Sequence, residues 1–145
     1  LGLVQKCAEL GTTLVAFSPV GRSLLTDHPL AYATCSQLPF MKINPRFQQD
    51  TYQRNIGKTD GFRALAGDMG ISASGLAIAW LLAQGDHVVP IPGTRSVEHL
   101  NELAAGVAKS LTAAELAAIE EVLPVGWCYG DRYGPEQWKG PERYC

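Results

Sequence analysis

The hydrophobic positions of this chain follow two patterns, one typical of helices and one typical of buried strands. Apolar residues at 1–10 share one helical face, and Gly11 follows as a C-cap. Residues 12–17, Thr-Thr-Leu-Val-Ala-Phe, form a continuous and partly β-branched run, which predicts a strand buried on both faces. A second short run, His-Val-Val-Pro-Ile at residues 87–91, predicts another strand.

Helical patterns recur after both predicted strands. From Arg22 to Asn55 the periodicity is weak and three prolines occur, which predicts a long loop of the kind that forms lids. Pro124 ends the last helical pattern, and the aromatic tail at residues 125–145 is expected to pack on the rest of the chain. Helices are predicted over residues 50–68, over 73–84 with Ser72 as N-cap, over 97–105, and after the capping box of Thr112 and Glu115.

Strands that alternate with helices indicate an α/β fold with parallel βα units. Two strands are too few for a complete sheet, which usually has about 4–6 strands. The chain also starts at Leu1 inside a helical pattern, with no N-cap residue before it. Residues 1–145 are therefore expected to be a truncated part of one larger domain.

Composition narrows the range of partners. The chain is 46% hydrophobic and 18% charged with a net charge of −2, so neither nucleic acid nor an anionic membrane surface is expected as a partner. The longest apolar stretch, residues 71–83, is too short to cross a bilayer. The four cysteines show no metal-ligand spacing, so no metal site is expected, and a reducing cytoplasm is the expected compartment.

Two predicted strand ends carry the candidate chemistry. The first is the segment Phe-Ser-Pro-Val-Gly-Arg at 17–22, and the second is Gly93-Thr94-Arg95, which precedes a predicted helix. In a βα barrel the C-terminal strand ends build the site, and the last two loops commonly hold a phosphate. Gly93 allows close backbone approach, the helix start offers unpaired N–H groups, and Arg95 has the shape for bidentate phosphate contact.

Four segments in this order resemble the aldo-keto reductases. They are residues 17–22, the segment Asn-Pro-Arg-Phe-Gln at 44–48, Ala-Ile-Ala-Trp-Leu-Leu-Ala-Gln-Gly at 77–85 and Val-Pro-Ile-Pro-Gly-Thr-Arg at 89–95. Leu100, Glu102 and the Gly-Asp-Arg-Tyr segment at 130–133 extend the similarity to nearly the whole chain.

The resemblance implies a (β/α)₈ TIM barrel, of which this chain would supply the last two βα units plus an extra C-terminal helix and a tail. It also implies NADP(H) as cofactor and a small aldehyde or ketone as substrate, reduced by hydride transfer. The family's catalytic aspartate, tyrosine, lysine and histidine come from the first half of the barrel. No catalytic residue is therefore assigned in this chain, and the chain alone is expected to be inactive without the missing N-terminal barrel half.

The first strand end is implied to hold the nicotinamide and pyrophosphate. Phe17 matches the aromatic position that stacks on the nicotinamide, where family members usually have tyrosine; phenylalanine keeps the π face. Ser18, Val20 and Arg22 match positions that contact the pyrophosphate.

The second strand end is implied to hold the adenosine part of the cofactor. Gly93, Thr94 and Arg95 match positions that bind the 2′-phosphate, which distinguishes NADPH from NADH. Glu102 matches the position that contacts adenine, and His99 matches a basic or polar position that reaches the 2′-phosphate or adenine.

Other interpretations remain open from the residues alone. Without the resemblance, Phe17 would be core packing and Arg95 a solvated charge, and His99 could be a helix-surface residue. Leu103 stands where the family usually has an asparagine, and leucine cannot hydrogen-bond adenine. The alternatives for the whole chain are a non-catalytic nucleotide-binding module, a redox-sensing subunit, or a fragment without function.

Overall fold

The computed structural model describes residues 2–139, of which Gln137 and Lys139 are described by their backbone only. Leu1 and residues 140–145, including the tail residues Tyr144 and Cys145, lie outside the described part. The helices and strands are α1 (Leu3–Glu9), β1 (Leu14–Phe17), α2 (Tyr32–Cys35), α3 (Gln49–Asp68), α4 (Ala73–Leu82), β2 (Val88–Ile91), α5 (Val97–Ala108) and α6 (Ala113–Val122). Short 3₁₀ helices lie at Gly21–Ser23, Met41–Ile43, Pro45–Phe47 and Pro135–Lys139.

The two strands form a parallel pair, as their sequence predicts. Leu14 is level with Val88, and Phe17 is level with Ile91. The C-terminal ends of β1 and β2 therefore lie at the same edge of the sheet, which places the segments after Phe17 and Ile91 next to each other. This arrangement is the one that a βα barrel requires.

One face of this sheet is covered and the other is exposed. Leu14 and Ala16 are half-buried and Val88 is buried, whereas four alternate side chains on the other face are exposed. The four exposed residues are Val15 at 54%, Phe17 at 49%, Val89 at 45% and Ile91 at 51% of their full area. The prediction that β1 is buried on both faces is wrong for residues 2–139, because no described segment covers this apolar face.

Local sequence sets where α4 and α6 begin. The Ser72 hydroxyl accepts the Gly75 N–H at 3.0 Å, as an N-cap does. Thr112 and Glu115 form the predicted capping box, in which each side chain accepts the other residue's backbone N–H. A hydrogen bond from Lys109, together with those from Thr112, lowers the pKa of Glu115 to about 2.

Helices α4 and α5 cross with their backbones in contact. A Cβ added at Gly106 would lie 2.3 Å from the carbonyl oxygen of Gly75, and a Cβ at Gly75 would lie 2.9 Å from the carbonyl oxygen of Glu102. No real side chain tolerates such distances, so glycine at 75 and 106 is a condition of this crossing.

The main core lies between α3, α4 and α6. Its buried residues are Phe62, Ala66, Ala73, Leu76, Ala77 and Ile119. Within residues 2–139 no single helix is long and apolar enough to span a membrane. The helices α3 and α4 reach that length and composition only as a pair, and the pair is bent by 86°.

The predicted loop from Arg22 to Asn55 is more ordered than the sequence indicates. It contains α2 and two 3₁₀ helices, and α3 already begins at Gln49. A second apolar core fills it, formed by Leu24, Cys35, Met41, Phe47 and Tyr52. The hydroxyl of Tyr52 donates to the carbonyl of Leu30, and burial raises the pKa of Tyr52. Elements of three or four residues are too short to produce a hydrophobic period, which explains why the sequence predicts only a loop.

The exposed apolar face of the sheet is expected to make the purified chain self-associate. Val89→Lys is expected to weaken self-association of the 145-residue chain, because it places a charge in the apolar face that would otherwise be covered by another copy. Sedimentation velocity over a concentration series measures this. The control is Val107→Lys, since Val107 is exposed on α5 outside the sheet. A wild-type chain that stays monomeric at high micromolar concentration would contradict the prediction.

Candidate functional site

Among the described residues, Arg22 lines two of the cavities that open near the C-terminal ends of the strands. The first, here called the α5 cavity, has a volume of about 370 Å³ and lies between the turn after β1 and the start of α5. It brings together six of the nine predicted cofactor residues, namely Val20, Arg22, Gly93, Thr94, His99 and Glu102. Its other lining residues are Ser23, Thr26, Asp27, His28, Leu30, Met41, Ser74 and Leu103.

The second cavity, here called the tail cavity, has a volume of about 330 Å³. It is lined by Phe17, Ser18, Gly21, Arg22, Leu24, Phe40, Asn44, Arg46, Phe47, Trp127, Cys128, Arg132 and Tyr133. Phe17 and Ser18 join the six residues of the α5 cavity, so the two cavities together contain eight of the nine predicted residues. The ninth, Arg95, is exposed and lines neither cavity.

The turn after β1 has an unusual backbone. Ser18, Arg22 and Ser23 have φ values of 52°, 55° and 78°, although none of them is glycine. Each such residue costs on the order of 1–3 kcal/mol, and such strain collects at functional sites. The Gly21 N–H donates to the Ser18 carbonyl at 2.9 Å and helps to hold this turn in place. Two of the three strained residues, Ser18 and Arg22, are predicted pyrophosphate contacts.

The guanidinium of Arg22 is fixed where the two cavities meet. Its central carbon lies 3.6 Å from the centre of the Phe40 ring, a cation–π contact. Burial lowers the pKa of Arg22; Tyr133 opposes this, and Arg132 lowers the pKa further. An arginine side chain remains charged in proteins nonetheless. A partly desolvated cation held in one place is well suited to bind an anion.

Local hydrogen bonds shape the start of α5. The Thr94 hydroxyl accepts the Ser96 N–H at 3.1 Å, and the Ser96 hydroxyl caps the His99 N–H at 3.3 Å. A Cβ built on Gly93 would meet no atom within 4 Å, so the space beside this backbone is open to the cavity. The first amides of a helix have no intrahelical acceptor, which makes a helix start attractive to a phosphate.

Glu102 is held by a residue that the sequence analysis did not identify. The hydroxyl of Ser74, on α4, donates to the Glu102 carboxylate at 2.9 Å, and Ser74 is only 3% exposed. Leu103 forms an apolar part of the cavity wall. Ser74 lies two residues after the N-cap Ser72, and only the α4–α5 crossing brings it to Glu102.

Asn55, on α3, attaches the tail to the segment at residues 22–48, here called the lid. Its role was not predicted from the sequence. Its side-chain amide donates to the carbonyls of Arg46 and Tyr129, each at 3.0 Å. Its side-chain oxygen accepts the Tyr129 N–H at 2.7 Å. The buried Asn44 adds a bond of 2.8 Å to the carbonyl of Arg132. The tail therefore packs on the lid, as expected, from Tyr129 to Tyr133.

The tail brings a charge to Phe17. The guanidinium carbon of Arg132 lies 5.0 Å from the centre of the Phe17 ring and 5.4 Å from that of Tyr133. Phe17 is half exposed, so in residues 2–139 it is not a core residue. The segments 44–48 and 130–133, which carry part of the sequence resemblance, meet at this one cavity.

Comparison with known proteins decides the family. The model of the Aldo/keto reductase family matches residues 1–124. The chain belongs to the aldo/keto reductase family. It is 33% identical over 138 residues to the Schizosaccharomyces pombe aldo-keto reductase yakc, which is named for NADP(+), and this match covers 93% of the chain and 40% of the relative. It is 35% identical over 133 residues to the probable aldo-keto reductase 1 of Glycine max, which covers 90% of the chain and 38% of that relative.

Solved structures support the fold of this aldo/keto reductase chain. The thermostable aldo-keto reductase Tm1743, solved with the inhibitor epalrestat, matches with a TM-score of 0.54 and 26% identity over 83% of the chain and 33% of that structure. The glycerol dehydrogenase AKR11B4 of Gluconobacter oxydans matches in fold with a TM-score of 0.66 and 20% identity, over 99% of the chain and 40% of that structure. The chain thus spans about two fifths of the length of the curated relatives it matches.

Asn55→Ala is expected to loosen the tail from the lid of this aldo/keto reductase chain. The variant leaves two carbonyls and one N–H without their partner, and each unsatisfied buried group costs about 1–3 kcal/mol. At about 1.4 kcal/mol per decade, the Tyr129 amide should exchange with deuterium at least about tenfold faster. Hydrogen–deuterium exchange of the peptide that contains Tyr129 measures this. Asn101→Ala, on the exposed face of α5, is the control, and unchanged protection of Tyr129 would refute the role of Asn55.

Proposed function

We propose that this chain is the cofactor-binding, C-terminal portion of an NADP(H)-dependent reductase of aldehydes or ketones. The observation that carries the proposal is the pair of cavities that meet at Arg22 and gather eight of the nine residues expected to contact the cofactor. A carbonyl compound takes up a hydride at carbon and a proton at oxygen, and the products are an alcohol and NADP(+).

The residues present fit the cofactor. The α5 cavity has the open backbone of Gly93 and the carboxylate of Glu102 for the adenosine part. Arg95, which is exposed outside the cavity, would reach the 2′-phosphate from the surface. Arg22 and the strained turn at Ser18 would hold the pyrophosphate. The half-exposed ring of Phe17 would stack on the nicotinamide. When bound, the nicotinamide supplies the hydride, and the protein orients it and excludes water.

The rest of the barrel would supply the catalytic residues and cover the apolar sheet face. The side chains of Val15, Phe17, Val89 and Ile91 are exposed together on one side of the parallel sheet. Apolar, branched side chains are what fill the inside of a βα barrel. This face supports the proposal that the chain pairs with an N-terminal barrel half. The protein would act in the cytoplasm, and the free thiols of Cys7, Cys35 and Cys128 fit a reducing compartment.

The activity of the complete polypeptide tests this proposal. With a simple aldehyde, the complete polypeptide is expected to oxidise NADPH, whereas the 145-residue chain alone is expected to be inactive. Loss of absorbance of NADPH measures both. Turnover by the isolated chain would contradict the proposal that catalytic residues lie elsewhere. Binding of NADPH by the complete polypeptide without turnover of any carbonyl compound would favour the alternative of a nucleotide-binding or redox-sensing protein.

Arg95 provides a test of cofactor choice. In the complete polypeptide, Arg95→Ala is expected to weaken the binding of NADPH much more than the binding of NADH, because NADH has no 2′-phosphate. A hydrogen bond to a charged group contributes about 1.5–3 kcal/mol, which corresponds to a loss of roughly ten- to hundredfold in affinity. Fluorescence titration of both cofactors at fixed salt measures the difference.

The control for this titration is Arg54→Ala. Arg54 stacks on Tyr129 at 3.6 Å and lines neither cavity, so its loss should affect both cofactors little. An equal loss of affinity for both cofactors in Arg95→Ala would mean that Arg95 contacts a part of the cofactor that NADPH and NADH share. No change in either would eliminate the 2′-phosphate assignment.

A further inference from the structure

We propose that the tail cavity binds the substrate and that this substrate is a carbonyl compound carrying a carboxylate, which Arg132 and Arg46 recognise. The inference rests on the proposed reductase function and adds to it the chemical class of the substrate. It follows from the charge of the cavity, from the position of Arg132, and from the aromatic side chains around both.

The described lining of the tail cavity is strongly cationic. It includes three arginines and no aspartate or glutamate. The neighbouring acid, Asp131, directs its carboxylate to the Arg132 backbone N–H at 2.7 Å and to the Trp138 indole N–H at 3.3 Å. Burial raises the pKa of Cys128, so this thiol stays neutral and adds no negative charge. An anion is the ligand that compensates such a lining.

Two of the three arginines that line the tail cavity are not among the residues proposed to hold the cofactor phosphates. Arg22 lines both cavities and is the arginine proposed to hold the pyrophosphate, whereas Arg46 and Arg132 line the tail cavity and not the α5 cavity. Arg46 uses its Nε to donate to the Gly130 carbonyl at 3.3 Å, which orients the terminal N–H groups of its guanidinium. Arg46 and Arg132 therefore both lie on the side proposed for the substrate.

The position of Arg132 relates the charge to the reacting carbon. Its guanidinium carbon is 5.0 Å from the centre of the Phe17 ring, the surface on which the nicotinamide is proposed to stack. A substrate beside the nicotinamide would thus lie within reach of Arg132. Phe40 and Tyr133 meet edge to face at 6.2 Å and provide apolar walls for the carbon skeleton. The cavity of about 330 Å³ accommodates a substrate with one aromatic ring.

A matched pair of aldehydes tests the inference in the complete polypeptide. The probes are 4-carboxybenzaldehyde and its uncharged methyl ester, methyl 4-formylbenzoate. We expect kcat/KM to favour the acid by about ten- to hundredfold, mainly through a lower KM, because a charge-assisted hydrogen bond is lost in the ester. Arg132→Gln should remove this preference by lowering kcat/KM for the acid about ten- to hundredfold more than kcat/KM for the ester. Arg132→Lys should retain part of the preference.

The control for the charge is Arg54→Gln, an arginine that also stacks on an aromatic ring but lies outside the cavity lining. This variant should keep the full preference for the acid. Equal kcat/KM for acid and ester in the wild type, or a preference that survives Arg132→Gln, would overturn the inference. Turnover of the ester would in either case leave the proposed reductase function standing.

A binding measurement separates the two proposals if neither aldehyde is turned over. Calorimetric titration of the NADP(+)-loaded polypeptide with 4-(hydroxymethyl)benzoate and with its methyl ester then reports on the cavity directly. Binding that is selective for the acid and lost in Arg132→Gln would support the anion site while the reductase function fails. Binding without selectivity for the acid would overturn the site.

Discussion

The backbone contact between α4 and α5 is the constraint on which the α5 cavity depends. Gly75 and Gly106 let the two helices approach until peptide groups touch, and any side chain at either position would force α5 outwards. That approach brings the hydroxyl of Ser74 to the carboxylate of Glu102. It also determines where the start of α5, with Thr94 before it, lies relative to the turn after β1. A backbone contact that involves no polar side chain thus positions the polar side chains of the site.

The tail cavity is held together in a different way, by hydrogen bonds of two buried asparagines. Asn44 and Asn55 bind backbone groups of residues 129–132, so the position of Arg132 does not depend on its own side chain. Aromatic rings and guanidinium groups then stack around this backbone. The consequence is a wall whose charge can change, through substitutions at Arg132, while its backbone stays in place. The α5 cavity and the tail cavity are therefore held together by different interactions within one fold.

The parts of this structure that depend on local sequence could be predicted. The strands β1 and β2 and the caps at Ser72 and Thr112 follow from patterns within a few residues, and the parallel pairing of the strands follows from the alternation of strands with helices along the chain. The structure confirms both. The roles of Ser74 and of the two asparagines could not be predicted, because their partners lie between 28 and 88 residues away. Burial of β1 on both faces was predicted wrongly, since a continuous apolar run does not tell whether the second face is covered by this part of the chain.

Pro90 makes the two outer edges of the sheet differ in the backbone hydrogen-bond donors that they offer. The Leu14 N–H donates to the His87 carbonyl, so by alternation Val88 and Pro90 direct their backbone groups to the outer edge of β2. The Val88 N–H already donates to the Gly85 carbonyl, and Pro90 has no N–H, so this edge offers a new strand carbonyl acceptors but no strand donor. The outer edge of β1 has both the donors and the acceptors of Val15 and Phe17. A strand that pairs with β2 must therefore supply the backbone donors itself, whereas a strand that pairs with β1 can both donate and accept. In a closed barrel, where both edges are paired, a single imino acid makes these two seams unequal in hydrogen bonding.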